Sequence, residues 1–226
     1  MSAIASVLEV PEPAASPATQ FTRVGRFAAA ATLVLGAGFQ LAAFLTEKQH
    51  DKTVDRLRWV AAHPDRANVA KLFDLLAMPF LFGTVVVYVL LARQRSPRLA
   101  YAGGILLGCG MVGLSAAQGL ETLEFKLAQD GRFDVAALGH VVDNLSTAPG
   151  IAMLILFIPG AFFGLVTLTV ALWRSRAVPR GALVLIPVFI VLDFALQKGV
   201  AGHAVALVGA TWIALSVLRS PRAEPD

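Results

Sequence analysis

The stretch Gly181–Leu218, GALVLIPVFIVLDFALQKGVAGHAVALVGATWIALSVL, decides the architecture. It is 38 residues long. As one helix it would measure about 57 Å at 1.5 Å per residue, nearly twice the roughly 30 Å of a bilayer's hydrocarbon. Gln197, Lys198 and Gly199 near its middle supply a polar turn, so the reading is two helices, 181–197 and 200–218. Working back along the chain, four further apolar runs fall at about 27–45, 72–91, 99–119 and 147–173. The expected fold is all-α: a polytopic six-helix transmembrane bundle over 21–218.

Composition agrees. The 226 residues are 57% hydrophobic and 15% charged, with mean hydropathy +0.70. Soluble domains carry about 25% charged residues, and a chain this short cannot hide so much apolar surface in one soluble core. The basic pI of about 9.6 does not point to nucleic acid, because the basic residues lie in short clusters between apolar runs. The expected partner is the lipid bilayer. A single cysteine, Cys109, excludes an intramolecular disulfide framework and a cysteine zinc site.

Arginine placement sets the expected orientation. Arg23 and Arg26, Arg93, Arg95 and Arg98, Arg174, Arg176 and Arg180, and Arg219 and Arg222 all fall at one set of helix ends. The acids on that side are Glu9, Glu12, Glu224 and Asp226, all in the tails. That side is therefore read as cytoplasmic, with both termini inside. Residues 1–20, with Pro11, Pro13 and Pro17 and no apolar period, read as a disordered cytoplasmic tail rather than a signal peptide. Residues 219–226 read as a second tail. Tyr88, Tyr101 and Trp173 fall near the inner helix ends, where an interfacial aromatic belt is expected.

The two longer outer loops are expected to fold in part. Leu57, Trp59 and Val60 suggest a short interfacial helix, and Pro64-Asp65 a helix start that extends the second span outward. The loop at 120–146 reads as two short helices bent at Asp130-Gly131. His50 and His63 read as exposed.

Small residues suggest where helices touch, because close packing drives helix association in lipid. Gly104 and Gly108, Gly160 and Gly164, and Gly38 with Ala42 are small-xxx-small pairs. They imply crossings within the chain or, alternatively, a homo-oligomer or membrane-partner interface. Pro79, Pro159 and Pro187 each remove a ladder hydrogen bond and are expected to kink their helices.

Polar groups within the spans and at their outer ends mark where chemistry could sit. These are Gln40, Asp74, Gln118, Glu121, Glu124, His140, Asp143, Asn144, Asp193, Gln197 and His203. The run 181–192 covers only about 18 Å at 1.5 Å per residue, so Asp193 must lie inside the membrane. Such residues face the bundle interior and take a partner; His203, across the hairpin, is the expected one, with Lys198 in competition. Glu121 with Glu124, and His140 with Asp143, each share a helix face. Together with Asp193 and His203 they could form an outer carboxylate and histidine site, the basis of an alternative reading as a membrane-embedded enzyme. No H-E-x-x-H motif is present. Haem would need two axial histidines on facing helices, and only His203 lies in a span. No catalytic residue, metal ligand set or cofactor is named by this pattern.

The layout of about 21–218 resembles the uncharacterised bacterial membrane family called domain of unknown function 4386. The points of likeness are Arg23 and Arg26 before a small-residue-rich Phe27–Leu45, Asp74 and Pro79 near the start of the second helix, and Arg98 before the glycine-rich Gly103–Gly119. The resemblance implies a bacterial inner-membrane protein and supplies no activity. The functional expectation is a non-enzymatic protein that binds, senses or passes a small molecule or ion from the extracytoplasmic side. A structural or regulatory subunit is a further alternative.

Overall fold

A computed structural model describes residues 21–144 and 148–219; both tails lie outside the described residues, apart from Arg219. The elements are α1 (Arg23–Thr46), α2 (Thr53–Ala62), α3 (Pro64–Ala92), α4 (Pro97–Gln129), α5 (Val135–Asp143), α6 (Ala148–Ser175), α7 (Arg180–Ile190) continued by a π turn (Val191–Ala195), and α8 (Gly199–Arg219). All described regular structure is helical.

Five helices, α1, α3, α4, α6 and α8, are long and apolar enough to cross a membrane. The expected sixth span is different. It has eleven residues in α7 and five in the π turn, about 24 Å at 1.5 Å per residue, short of the roughly 30 Å needed. Large apolar side chains such as Val86, Ile105, Val112, Ile155, Phe163 and Val208 are exposed on the outside of the bundle. A soluble protein would bury them; here they form a lipid-compatible surface.

The six long segments make a closed ring. α1 packs on α3, α3 on α4, α4 on α6, α6 on α7, α7 on α8, and α8 back on α1. Neighbours run antiparallel, as paired positions show: Gly36 meets Leu81 while Gly83 meets Thr32, and Gly202 meets Asp193 while Gly181 meets Trp212. All the described arginines at the helix ends named above therefore gather at one end of the ring. The main apolar core lies between these helices.

Two segments run further than the apolar windows suggested. α3 begins at Pro64 in its first turn, where proline is favoured because its missing N–H has no helical acceptor anyway. α4 does not stop near residue 119 but continues to Gln129. The expected first short helix of the second loop is thus part of α4, and only α5 is separate. The continuation is held by tertiary packing: Phe125 and Ala128 are buried against Leu57, Val60 and Ala67 in a second small core beneath α2. The break comes at Asp130–Arg132, where Gly131 takes φ 69°, accessible to glycine without a Cβ clash. Arg132 clasps Asp130 there through two 2.7 Å bonds and holds its carboxyl below the ordinary range.

α4 and α6 cross at backbone contact. A Cβ on Gly110 would lie 2.5 Å from the Ala161 nitrogen, one on Gly113 2.6 Å from the Phe157 nitrogen, and one on Gly164 against the Leu107 backbone. Gly160 joins this crossing. Gly104 instead faces Val89 of α3, Gly108 meets nothing within 4 Å, and Gly38 approaches only Leu207, at 4.0 Å. The tight seam on α4 therefore runs through Gly103, Gly110 and Gly113, one face round from the Gly104–Gly108 pair. Tyr88 also departs from expectation. It is 7% exposed and faces inward, whereas Tyr101 and Trp173 are exposed, Trp173 beneath the Arg180 guanidinium at 5.4 Å.

Candidate functional site

The extensions of α3 and α4 carry a buried ionic network at the end of the ring opposite the arginines. At its centre is Lys71, 4% exposed. Its ammonium donates to Asp74 Oδ2 at 3.2 Å, to Gln118 Oε1 at 2.6 Å, and to Glu121. Arg56 of α2 donates to Glu121 and, at 2.8 Å, to Glu124 Oε2. The Phe125 ring lies under both cations, 5.1 Å from Lys71 and 5.6 Å from Arg56. Gln40 of α1 donates to Asp74 Oδ1 at 3.3 Å. Glu47, just beyond α1, completes the group. Burial pushes its carboxyl above the ordinary value, against the pull of Lys71 and Arg56.

Sequence reasoning found Asp74, Gln40, Glu121 and Glu124 but missed Lys71, Arg56 and Glu47. The signal for Lys71 was present, since it stands three residues before Asp74, one helix turn, on a helix already expected to start at Pro64. Counting from the apolar window at 72 left it in a loop. Arg56 gave no local signal, because its partners lie 65 and 68 residues away.

Two chambers adjoin this network. The outer is a polar vestibule of about 200 Å³, lined by Glu47, Lys48, His50, Arg56, Asp74 and Glu121 among others. His50 is not exposed as expected: it is half-buried, and its Nε2 is enclosed without a hydrogen-bond partner. The inner chamber, about 360 Å³, lies within the ring and is lined by all six long segments. Phe44 and Gln118 belong to both chambers and form the neck between them. The lining residues recur at helical spacing: Leu33, Ala37, Gln40 and Phe44 on α1, and Leu107, Met111, Leu114 and Gln118 on α4. Each stripe is apolar at depth and carries a glutamine, Gln40 or Gln118, beside the network.

Asp193 and His203 lie in the inner chamber. Asp193 Oδ1 is 3.6 Å from His203 Nδ1, an ion-pair distance too long for a hydrogen bond. His203 Nδ1 is 2.9 Å from the Gly199 carbonyl oxygen. A carbonyl only accepts, so Nδ1 carries the proton and, in the neutral ring, Nε2 is left as an acceptor. The imidazole stacks on Phe44 at 4.1 Å and meets Phe189 in a T-shaped contact at 5.5 Å. Two glycines permit this hairpin: a Cβ on Gly199 would strike the Phe44 ring, and one on Gly202 would press on Asp193 at 3.2 Å. Lys198 is exposed, and Asp193 is ion-paired with His203 instead.

His140 and Asp143 stand apart, exposed on α5. His140 bonds Asn144, and Asp143 accepts from Thr53 at 2.6 Å, tying α5 to α2. The six carboxylates and histidines of the enzyme alternative therefore divide into three places: the inner chamber, the network and the cap. Among the described residues no group of three or more histidine, cysteine or acidic side chains is placed to hold a metal ion.

The fold and this arrangement define a helical multi-pass membrane protein with an internal chamber. No family model, curated protein or solved structure matches the chain.

Proposed function

We propose that this is a six-span protein of the bacterial inner membrane, both termini cytoplasmic, that binds a small, largely apolar molecule entering from the extracytoplasmic side. The observation that carries the reading is the inner chamber, of about 360 Å³, near the lower end of the roughly 300–1,000 Å³ of ligand pockets. Its walls are largely apolar: the glutamines, Asp193 and His203 sit toward the network end, and Thr84 and Tyr88 lie deeper. The arginine end supports the orientation, and the short α7 segment completes the ring as the sixth span.

Purified protein in a non-ionic detergent tests the binding. Decanol is expected to raise the melting temperature in a saturable way, as ligation of the native state requires. A melting temperature that does not move, or falls linearly with decanol, refutes the chamber as a ligand site. Orientation is tested in a Cys109→Ser background. A membrane-impermeant maleimide added to intact cells should label Asp51→Cys and spare Gln94→Cys; the opposite pattern inverts the topology.

A second reading, as a partner subunit, draws on Gly108 and Gly119, where an added Cβ would meet nothing within 4 Å. Cys109, exposed on the same helix, should then form a disulfide-linked dimer under mild oxidation in membranes if α4 pairs with its copy.

A further inference from the structure

We propose that the inner chamber selects a lipophilic organic cation, an aliphatic or aromatic amine whose ammonium seats on Asp193. This rests on the reading of the chamber as a ligand site and names the class of ligand. Among the described residues, Asp193 is the one acidic side chain lining the inner chamber, and His203 the one basic side chain there. The two cations of the network are committed elsewhere: Lys71 to Asp74, Gln118 and Glu121, and Arg56 to Glu121 and Glu124. His203 is no hydrogen-bond donor to Asp193, since its Nδ1 proton goes to Gly199. The Asp193 carboxylate thus faces an apolar space without a hydrogen bond from any described residue. A half-buried carboxylate in membrane surroundings takes a counter-charge, and an ammonium beside it supplies a permanent one where the imidazole, 3.6 Å away, is charged only when protonated.

Hydrogen-bond accounting points the same way. Gln40 gives its nitrogen to Asp74, so its oxygen is left as an acceptor. His203 Nε2 is another acceptor, and both Asp193 oxygens are further ones. Gln118 accepts from Lys71, so its nitrogen is a donor left at the neck. Acceptors predominate beside Asp193, and an ammonium is a pure donor. Phe44 and Phe189, already packed around His203, are aromatic rings, whose faces attract ammonium groups. The π turn places Asp193 here, and such turns are frequent at functional positions. In the vestibule, Glu47, Asp74 and Glu121 outnumber Lys48 and Arg56, a charge balance that admits a cation more readily than an anion.

The test compares decylamine, decanol and decanoate on the purified full chain in non-ionic detergent, reading bound mass by native mass spectrometry and the saturable melting shift. Decylamine is expected to bind about tenfold more tightly than decanol, and decanoate not at all. Asp193→Asn should equalise amine and alcohol while keeping the alcohol, which also shows that the variant is folded. If decanol binds and the amine binds no better, or if Asp193→Asn keeps the preference, the cation assignment is overturned and the chamber survives. Preferential decanoate binding overturns it in the same way. If none of the three binds, the chamber reading fails, and the cation assignment with it.

Discussion

Lys71 shows how a single buried charge organises this protein. Three ammonium protons meet three acceptors, Asp74, Gln118 and Glu121, so the desolvated cation is fully satisfied. Deleting one partner of a buried ionic group leaves the others uncompensated and costs about 3–5 kcal/mol. Lys71→Met is therefore expected to destabilise by about 3 kcal/mol or more, measured by thermal or denaturant unfolding in detergent. A loss within about 0.5 kcal/mol, usual for surface changes, would show that the network is not an energetic unit. Glu47 makes a prediction of opposite sign. Burial raises its folded pKa above the ordinary 4.5, so the folded state holds this proton more tightly than the unfolded chain. Its contribution is fully present below the unfolded value and is lost as pH rises through the folded one. Glu47→Gln, which stays neutral, should thus become progressively more stabilising relative to wild type as pH is raised from acid to neutral. Melting temperatures of both proteins across that range check it; a constant difference removes the argument.

Among the elements, the α4–α6 crossing is the least tolerant. Gly164 lies against the Leu107 backbone and Gly110 against that of Ala161. Backbone cannot step aside as a side-chain tip can, and overpacking of this kind costs about 1–3 kcal/mol. Gly164→Ala should lower stability by that amount. Gly108→Ala, one face away in open space, should be neutral or stabilising by up to about 0.5–1 kcal/mol, because alanine is the better helix former. Unfolding of the pair side by side discriminates, and equal effects would mean that the seam does not run where it is drawn. A small-xxx-small pattern in the sequence located both helices correctly but could not say which face meets which neighbour. Spacing fixes which residues share a stripe, and only the ring of neighbours fixes the direction in which that stripe points.

For the whole molecule, the consequence of the ring is the chamber. Six helical segments around a common axis leave a space that the small residues Ala37, Ala161, Ala206 and Gly209 do not fill. If this space serves a ligand, filling it should abolish binding without harm to the fold. Ala37→Phe is expected to melt at or above the wild-type temperature and to lose the decanol shift. Retention of the shift at unchanged affinity would place the ligand elsewhere.

The helical class, the apolar surface, the hairpin turn at Gln197–Gly199 and the gathering of acids and histidines at the end away from the arginine clusters were all determined by the sequence. Each follows from local composition and from the length of an apolar run against the thickness of hydrocarbon. Asp193 and His203 were legible as a pair for the same reason: a short span and a turn bring them level. The tertiary structure alone decided the extension of α4 to Gln129, the recruitment of Arg56 and Lys71 into one network, the inward turn of Tyr88 and the chamber itself. These depend on which helix lies beside which. The Lys71–Asp74 spacing is a local mark, but Arg56 is held only where distant carboxylates arrive together, and a cavity is a property of six faces at once, so neither of these shows in any single stretch of chain.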